Sequence, residues 1–537
     1  MKVKFKLCVS AISIGLALGS LSTFAAPLPQ GPSNVSGATI DTQGNVMNVN
    51  QTTQFAKMDW NSFDIAAGNA VNFNQQSDYT AVNRVTGGNA SQINGTLTAG
   101  GNVILINPNG VNIGGTADIH ATGFGAIAAS VDDEEFQQWN GTGSLSLRGS
   151  ADVIIDKGAM INATDVMIGG LNVTNNGNIY TTGRTNIHGL RDLRLKLDNG
   201  IELSGQLSVL ANSSVGRVIN NGEIQTQGNI DISASNTIEN TGVISADGDV
   251  GIHNKLAVGT GHGLKNTGQI SAGKAIKIDV YSEKNDALYN SGSIYGSSVA
   301  HATSSYISGT VTDESRDSSY GIYNEGDIIF SDSYSASRVS GNNGIYNSGR
   351  LEATYVNANS SKSTNYTFYN DGVVKAGYLD VTNNGYDTKH ADSSITLYNN
   401  GLIQAGELSV YTSGGHDHGS TATYGLYNDI DGHIQVATNL NTRFVAESKD
   451  QISYGIYNKG EVFAKEIVTE MYTRNLPYER VNSYSIFNDQ SGSITSNVTR
   501  ADAIYNDGHL SVSNALYNNT LDEGPDSSVY YKNKYPY

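Results

Sequence analysis

Cysteine is almost missing from these 537 residues, and the one copy, Cys8, sits in the N-terminal apolar run. A chain cut behind that run has no thiol, which excludes disulfides and Cys-ligated metals. It also suits a chain that crosses an oxidising compartment unfolded, where a disulfide would lock a loop too early. Basic residues are short as well. Taking Lys2, Lys4 and Lys6 from the 32 Lys and Arg leaves 29 against 50 Asp and Glu, a formal −21. Phosphate recognition needs Lys and Arg, so nucleic-acid partners are disfavoured. Charge of either sign is sparse, at 15% of residues, and Gly, Asn, Ser and Thr carry the polarity. Helical periodicity, with apolar residues at i, i+3, i+4 and i+7, is scarce. Behind the N-terminus no segment is long and apolar enough to span a bilayer.

The N-terminus has its own logic. Lys2, Lys4 and Lys6 precede an apolar run from Leu7 to Leu21, which ends in Thr23-Phe24-Ala25-Ala26-Pro27. This is the pattern of a secretory signal, with cleavage expected after Ala25. Residues 1–25 are therefore set aside from the fold.

What remains is short alternating runs of Val, Ile, Leu, Thr and Tyr, broken by Asn-Gly, Asp-Gly and Gly-Gly. Val103-Ile104-Leu105-Ile106 and Val153-Ile154-Ile155 are two such runs. In the second half one phrase recurs: aromatic, Asn, any residue, Gly, any residue, aliphatic. It starts at Tyr289-Asn290, Tyr323-Asn324, Tyr346-Asn347, Tyr369-Asn370, Tyr398-Asn399, Tyr457-Asn458 and Tyr505-Asn506. Tyr427-Asn428 and Phe487-Asn488 carry two extra residues before the Gly, and Asn220, Asn240 and Asn266 lack the aromatic. Steps of about 20 to 30 residues are solenoid periods. The fold class expected is all-β: a right-handed parallel β-helix with an N-terminal cap before about residue 60.

Stacked coils explain the phrase. Coils lie about 4.8 Å apart, so equivalent residues line up along the axis. A repeated Asn then bonds its amide to the copies above and below, and a repeated Tyr stacks ring on ring. The Gly is expected to supply a turn that a Cβ forbids. The aliphatic, as in Ile294, Ile328 and Val373, is expected in the core. Ser304–Ser319 is expected to loop out between coils. The tyrosines are either a packing ladder or a row of exposed rings that stack on sugars.

The region from Met58 to about Ser130 resembles the N-terminal haemagglutination-activity domain of two-partner-secretion exoproteins, in its adhesin-like branch. The matching text is Trp60-Asn61-Ser62-Phe63-Asp64-Ile65, Val71-Asn72-Phe73, Ala81-Val82-Asn83-Arg84-Val85 and Ser91-Gln92-Ile93-Asn94-Gly95. It continues through Leu105-Ile106-Asn107-Pro108-Asn109-Gly110-Val111, Gly123-Phe124 and Ala128-Ala129-Ser130. Asn-Pro-Asn-Leu, the family's second motif, is absent, and Asn83-Arg84-Val85 stands in that region. The resemblance implies export through a partner outer-membrane barrel that recognises the N-terminal domain. It makes Asn107, Pro108, Asn109 and Gly110, with Asn83, Arg84 and Val85, the secretion motif. On their own, Pro108 and Asn109-Gly110 spell a tight turn after a buried strand. Either the transporter reads that turn, or the turn only folds the first coils.

The organisation expected is a signal at 1–25, a two-partner-secretion domain at 26–215, β-helical repeats at 216–515, and a C-terminal cap or tail at 516–537. No catalytic residues, metal site or cofactor are assigned. Gly415-His416-Asp417-His418-Gly419 lacks a third ligand for zinc, and Asp132-Asp133-Glu134-Glu135 reads as a solvated loop. Neither a nucleophile elbow nor a phosphate-binding loop occurs. The function expected is an exported, adhesin-like surface or secreted protein, reaching the exterior through the periplasm and binding a host-cell or bacterial receptor or a glycan. Its alternatives are a secreted cytolysin or contact-dependent toxin, and a polysaccharide-active β-helix enzyme.

Overall fold

A computed structural model describes residues 27–197, 200–296, 305–312, 319–331, 333–340, 343–360, 366–384, 393–413, 422–446, 452–473, 483–523 and 528–536. The expected signal and the His416–His418 cluster lie outside these residues.

Pairing between successive coils is parallel and in register, and it builds a parallel β-helix. A typical coil has three strands, as in Val218–Asn220, Glu223–Thr226 and Ile230–Ala234, each paired with its counterpart in the next coil. One apolar column fills the interior from Leu28 to Val512, and Ile224, Ile244, Ile270, Ile294 and Ile328 are consecutive members of it. Val373 is only half-buried, and Val374 takes the core position. The phrase there is followed by two valines, and strand alternation selects the second.

Asparagine holds the coils together on one edge. From Asn175 through Asn220, Asn240, Asn266 and Asn290 to Asn324, each Nδ2 donates to the next Oδ1 at 2.7–2.8 Å. The column continues through Asn347, Asn370, Asn399, Asn428, Asn458 and Asn488 to Asn506 at 2.6–2.8 Å. All are buried. In the two longer copies the amide still reaches the displaced glycine, as in Asn428 Nδ2 to Gly432 O at 3.0 Å. The glycine two residues on is needed for close approach rather than for its φ. A Cβ on Gly242, Gly268 or Gly292 would lie 2.0–2.1 Å from the glycine carbonyl of the coil below.

The open end of the first coil is closed by antiparallel strands. Ala38–Gln43 pairs with Val46–Gln51, and Ser33–Ser36 pairs with Phe55–Trp60. Gly44, at φ +60°, opens the hairpin turn between the first two. The cap is thus narrower than expected, since Val46 already begins the first coil. At the other end His509–Glu523 and Ser528–Pro536 continue the parallel ladder across residue 516.

Two further expectations need correction. Ser305–Val311, inside the expected loop, is a strand paired with Ile276–Ser282, because Ile307 and Val311 alternate into the core. The acidic run is not a loop. Asp132 caps the one helix among the described residues, Asp133–Gln138, by accepting the Glu135 N–H at 2.9 Å.

Candidate functional site

One outer face of the early coils is not open to water. Strands Ser144–Gly149, Asp192–Lys196 and Glu202–Gln206 form an antiparallel sheet laid over it. Leu145, Leu147, Leu193, Leu195 and Leu203 from that sheet meet Val82, Ile104, Ile106 and Ile127 from the coils, and Phe136 and Trp139 complete this second apolar core. The signal for it was in the sequence. Val103-Ile104-Leu105-Ile106, counted above among the alternating runs, is apolar at every position, which marks a strand covered on both faces.

The helix is fixed beside this core. Lys57 Nζ donates to the carbonyls of Phe136, Gln137 and Trp139 at 2.9, 2.6 and 3.0 Å, at the helix's negative end. Arg84 stacks on the Phe136 ring, 4.3 Å from its centroid. Its guanidinium grips buried Asp59 with two bonds of 2.7 and 2.9 Å, and reaches Asp133 at 2.6 Å. Burial alone would lift the Asp59 carboxyl. Hydrogen bonds from Arg84, Asn34 and Gln137, with the Arg84 charge, outweigh it and hold the group below its ordinary value. Asn83, fully buried, accepts the Trp60 indole N–H at 3.0 Å, and Val85 lies in the main core.

Residues 107–110 do form a turn. The Gly110 N–H donates to Asn107 O at 3.2 Å, with Pro108 and Asn109 between, and Gly110 has φ +115°. Asn107 is fully buried. Its Nδ2 donates to Asn89 O at 2.9 Å and Ser91 Oγ at 3.0 Å, and its Oδ1 accepts the Asn109 N–H at 2.9 Å. Asn109 is exposed and donates to Gly87 O at 2.8 Å. Both asparagines therefore tie the turn to the coil below, Asn107 from a buried site and Asn109 from an exposed one.

The two motifs meet at one cleft of about 740 Å³. Pro108 stands on one side, buried Arg84 and Val85 line its floor, exposed Thr86 stands at its rim, and Asn34 of the cap and Asp133 of the helix complete it. Reasoning from sequence missed Asp59, Asn34 and Asp133, which sequence distance separates from both motifs.

The TPS secretion domain family matches residues 25–328, more than half of the chain. The chain belongs to the TPS secretion domain family. The match reaches beyond residue 215, into the repeats. Two heme/hemopexin-binding proteins of Haemophilus influenzae are similar to it. One is 34% identical over 257 residues, 46% of this chain and 26% of that protein, and the other is 39% identical over 133 residues, 24% and 14%. The chain thus spans about a quarter or less of the curated relatives it matches. The secretion domain of HMW1 from Haemophilus influenzae aligns over 85% of this chain and 99% of its own, at 17% identity and a TM-score of 0.38. The filamentous hemagglutinin secretion domain aligns over 49% and 94%, at 17% identity and a TM-score of 0.35. As a TPS exoprotein, the chain belongs to a class exported across the outer membrane by a partner transporter.

The repeat tyrosines lie elsewhere, as one column beside the asparagines. Tyr289, Tyr323, Tyr346, Tyr369, Tyr398, Tyr427, Tyr457, Phe487 and Tyr505 stack with centroids 4.4–5.6 Å apart and planes within 27°. Their faces are occupied by one another. A second set, including Tyr320, Tyr366, Tyr424, Tyr454 and Tyr484, meets the column edge-on and was not foreseen. Several phenols donate to a carboxylate of the next coil, as Tyr398 does to Asp429 at 2.6 Å and Tyr457 to Asp489 at 3.2 Å. Burial, then the carboxylate two residues on in the same coil, Glu325 or Asp371, pushes Tyr323 and Tyr369 up to about 12.

Proposed function

We propose that this chain is an adhesin-like exoprotein whose N-terminal cleft is the surface its transporter reads. A secretory signal at 1–25 takes it into the periplasm, and the partner barrel then threads it out. The coil stack behind is the passenger, a rod that binds surfaces outside the cell. The observation that carries this reading is the convergence of Pro108 and Arg84-Val85, distant in sequence, on a single cleft. Coils contact only their neighbours, so folding can propagate from whichever end emerges first and resist back-sliding.

The test is protease shaving of intact cells, with blotting of the medium, in a host that carries the partner transporter. Wild type is expected to be shaved or released, and Asn109→Ala to stay in the periplasm. Wild type held in the periplasm would refute the reading. The names of the two relatives raise haem or hemopexin as a second ligand reading, and capture of the secreted chain on haem-agarose or immobilised hemopexin tests it.

A further inference from the structure

A long open groove runs along one edge of the coil stack, away from both the cleft and the tyrosine column. Two stretches of it, about 740 Å³ and 570 Å³, share Ala376 and Gln404 and are therefore continuous. In-register pairing makes it. Tyr295, Ile329, Glu352, Lys375, Gln404 and Gln435 succeed one another on its wall, and Phe463 follows. The next residue of each strand forms the floor, where Ala353, Ala376 and Ala405 are small enough to leave it hollow. Six coil steps from Tyr295 to Phe463 cover about 29 Å at the parallel-strand spacing.

We propose that this groove binds a strand of neutral polysaccharide. Three features of its lining fit that occupant. The first is free aromatic surface. Phe463 is 55% exposed and Tyr295 36%, and neither enters a ring contact among the described residues. In the tyrosine column, by contrast, each interior ring has both faces covered. Both rings stand between non-aromatic neighbours, Ser271 and Ile329 for Tyr295 and Gln435 and Thr495 for Phe463, and their exposed parts offer apolar surface on which a sugar packs. The second is paired amides. Gln404 Nε2 donates to Gln435 Oε1 at 3.0 Å. That bond links the two side chains and leaves Gln404 Oε1 as an acceptor and Gln435 Nε2 as a donor at the two ends of the pair, available to sugar hydroxyls along the groove. The third is charge. Arg350 bonds Glu352, so Lys375 and Asp247 leave the lining nearly neutral on a chain of formal charge −18. A polyanion is repelled by that chain, and a polycation finds no acidic track here. The hollow floor and open ends let an unbranched polymer lie lengthwise.

This builds on the reading of the coil stack as a surface-binding rod, but not on the export route, so its test uses the purified full chain. Native gels containing hydroxyethylcellulose, galactomannan, dextran or glycogen, with polygalacturonate and heparin as charged comparators, measure retardation. At least one neutral polymer is expected to retard the chain, and high salt is expected to leave the effect in place. The double variant Tyr295→Ala, Phe463→Ala is expected to weaken binding about tenfold, the size of two lost ring contacts. Its far-UV circular dichroism should match wild type, because both rings are at the surface. Ile430→Ala, an exposed aliphatic outside the groove, should bind as wild type does. The proposal is overturned if no neutral polymer retards the chain, if the double variant binds unchanged, or if only heparin or polygalacturonate retards it. A dimer that the same double substitution dissolves would also overturn it, by assigning the groove to a second copy. Normal shaving from cells without retardation removes the groove reading alone. Retardation in a chain that cells fail to export supports the groove and removes the export reading.

Discussion

On one face of the early coils the outward side chains are apolar and lie under a helix and an antiparallel sheet, whereas in the later coils the outward side chains are mostly polar or aromatic and meet water. Val82, Ile104 and Ile127 belong to the first kind, and Glu239, Lys265 and Tyr289 to the second. The early region has two apolar cores that share strands, so damage to one reaches the other. The later region repeats one interface, so its stability is close to a sum of neighbour terms and damage stays local. The two tryptophans, Trp60 and Trp139, both lie in the early region, while most tyrosines lie in the later one. Urea unfolding followed by tryptophan emission and by tyrosine near-UV circular dichroism therefore reads the two regions separately.

Arg84→Ala should break the early region hardest. It leaves buried Asp59 without its counter-ion and with only the Asn34 and Gln137 amides to hold it, and breaking a buried pair in this way typically costs about 3–5 kcal/mol. The tryptophan transition is expected to move to much lower urea while the tyrosine transition keeps its midpoint. Acid should act on the same pair. Asp59 is held below its ordinary value, so its contribution is present above the unfolded carboxyl range and lost as pH falls through the folded value.

In the later region Asn347→Ala removes one rung of the amide ladder and strands Asn324 and Asn370. A cost of about 1–3 kcal/mol is expected, confined to adjacent coils. The tyrosine transition should broaden or split, and tryptophan emission should not change. Equal shifts in both signals would dissolve the distinction between the regions.

A pH series sharpens it further. Buried Asp286, whose Oδ1 accepts the Tyr320 N–H at 2.8 Å, is raised by burial to about 6. A raised carboxyl contributes stability that is full below the unfolded value of 3.8 and is lost as pH rises through about 6. Asp286→Asn should thus be more stable than wild type at pH 8 by a margin that shrinks toward pH 4. A margin independent of pH would exclude Asp286 as its source. The smallest effect is expected from Tyr398→Phe. The ring stays in its stack and the hydroxyl's bonds to Asp429 and Tyr369 go, for about 0.5–1 kcal/mol in the tyrosine transition.

The later region was the more legible of the two in sequence, because its periodic phrase is itself the structure. Asn290 and its successors had to align once the coils were in register, and the tyrosine stack followed from the same spacing. The glycine's reason was not legible. A carbonyl from the coil below, not a left-handed φ, excludes a side chain at Gly268. Nor was Asn175 as the first rung, since it stands 45 residues from Asn220 with the antiparallel strands between. In the early region the motif turn was readable from Pro108 and Gly110. The cleft was not, because Asp59, Arg84 and Asp133 converge only through coil closure and the placing of the helix. The groove was equally hidden, since Tyr295 and Phe463 share no motif and meet one edge only through register.

The most direct test of the account asks whether the cleft or mere stability governs export. Thr86→Arg sets a long side chain on the exposed rim of the cleft, removes no side chain from either core, and gives up only the hydroxyl's bond to Trp60 O at 3.1 Å, which the Thr86 N–H still makes at 2.8 Å. Its secreted fraction should be compared with that of Asn347→Ala, after urea titration of each purified chain. The account predicts that Thr86→Arg unfolds like wild type yet stays in the periplasm, while Asn347→Ala is less stable yet exported. Export of Thr86→Arg at the wild-type level would contradict it.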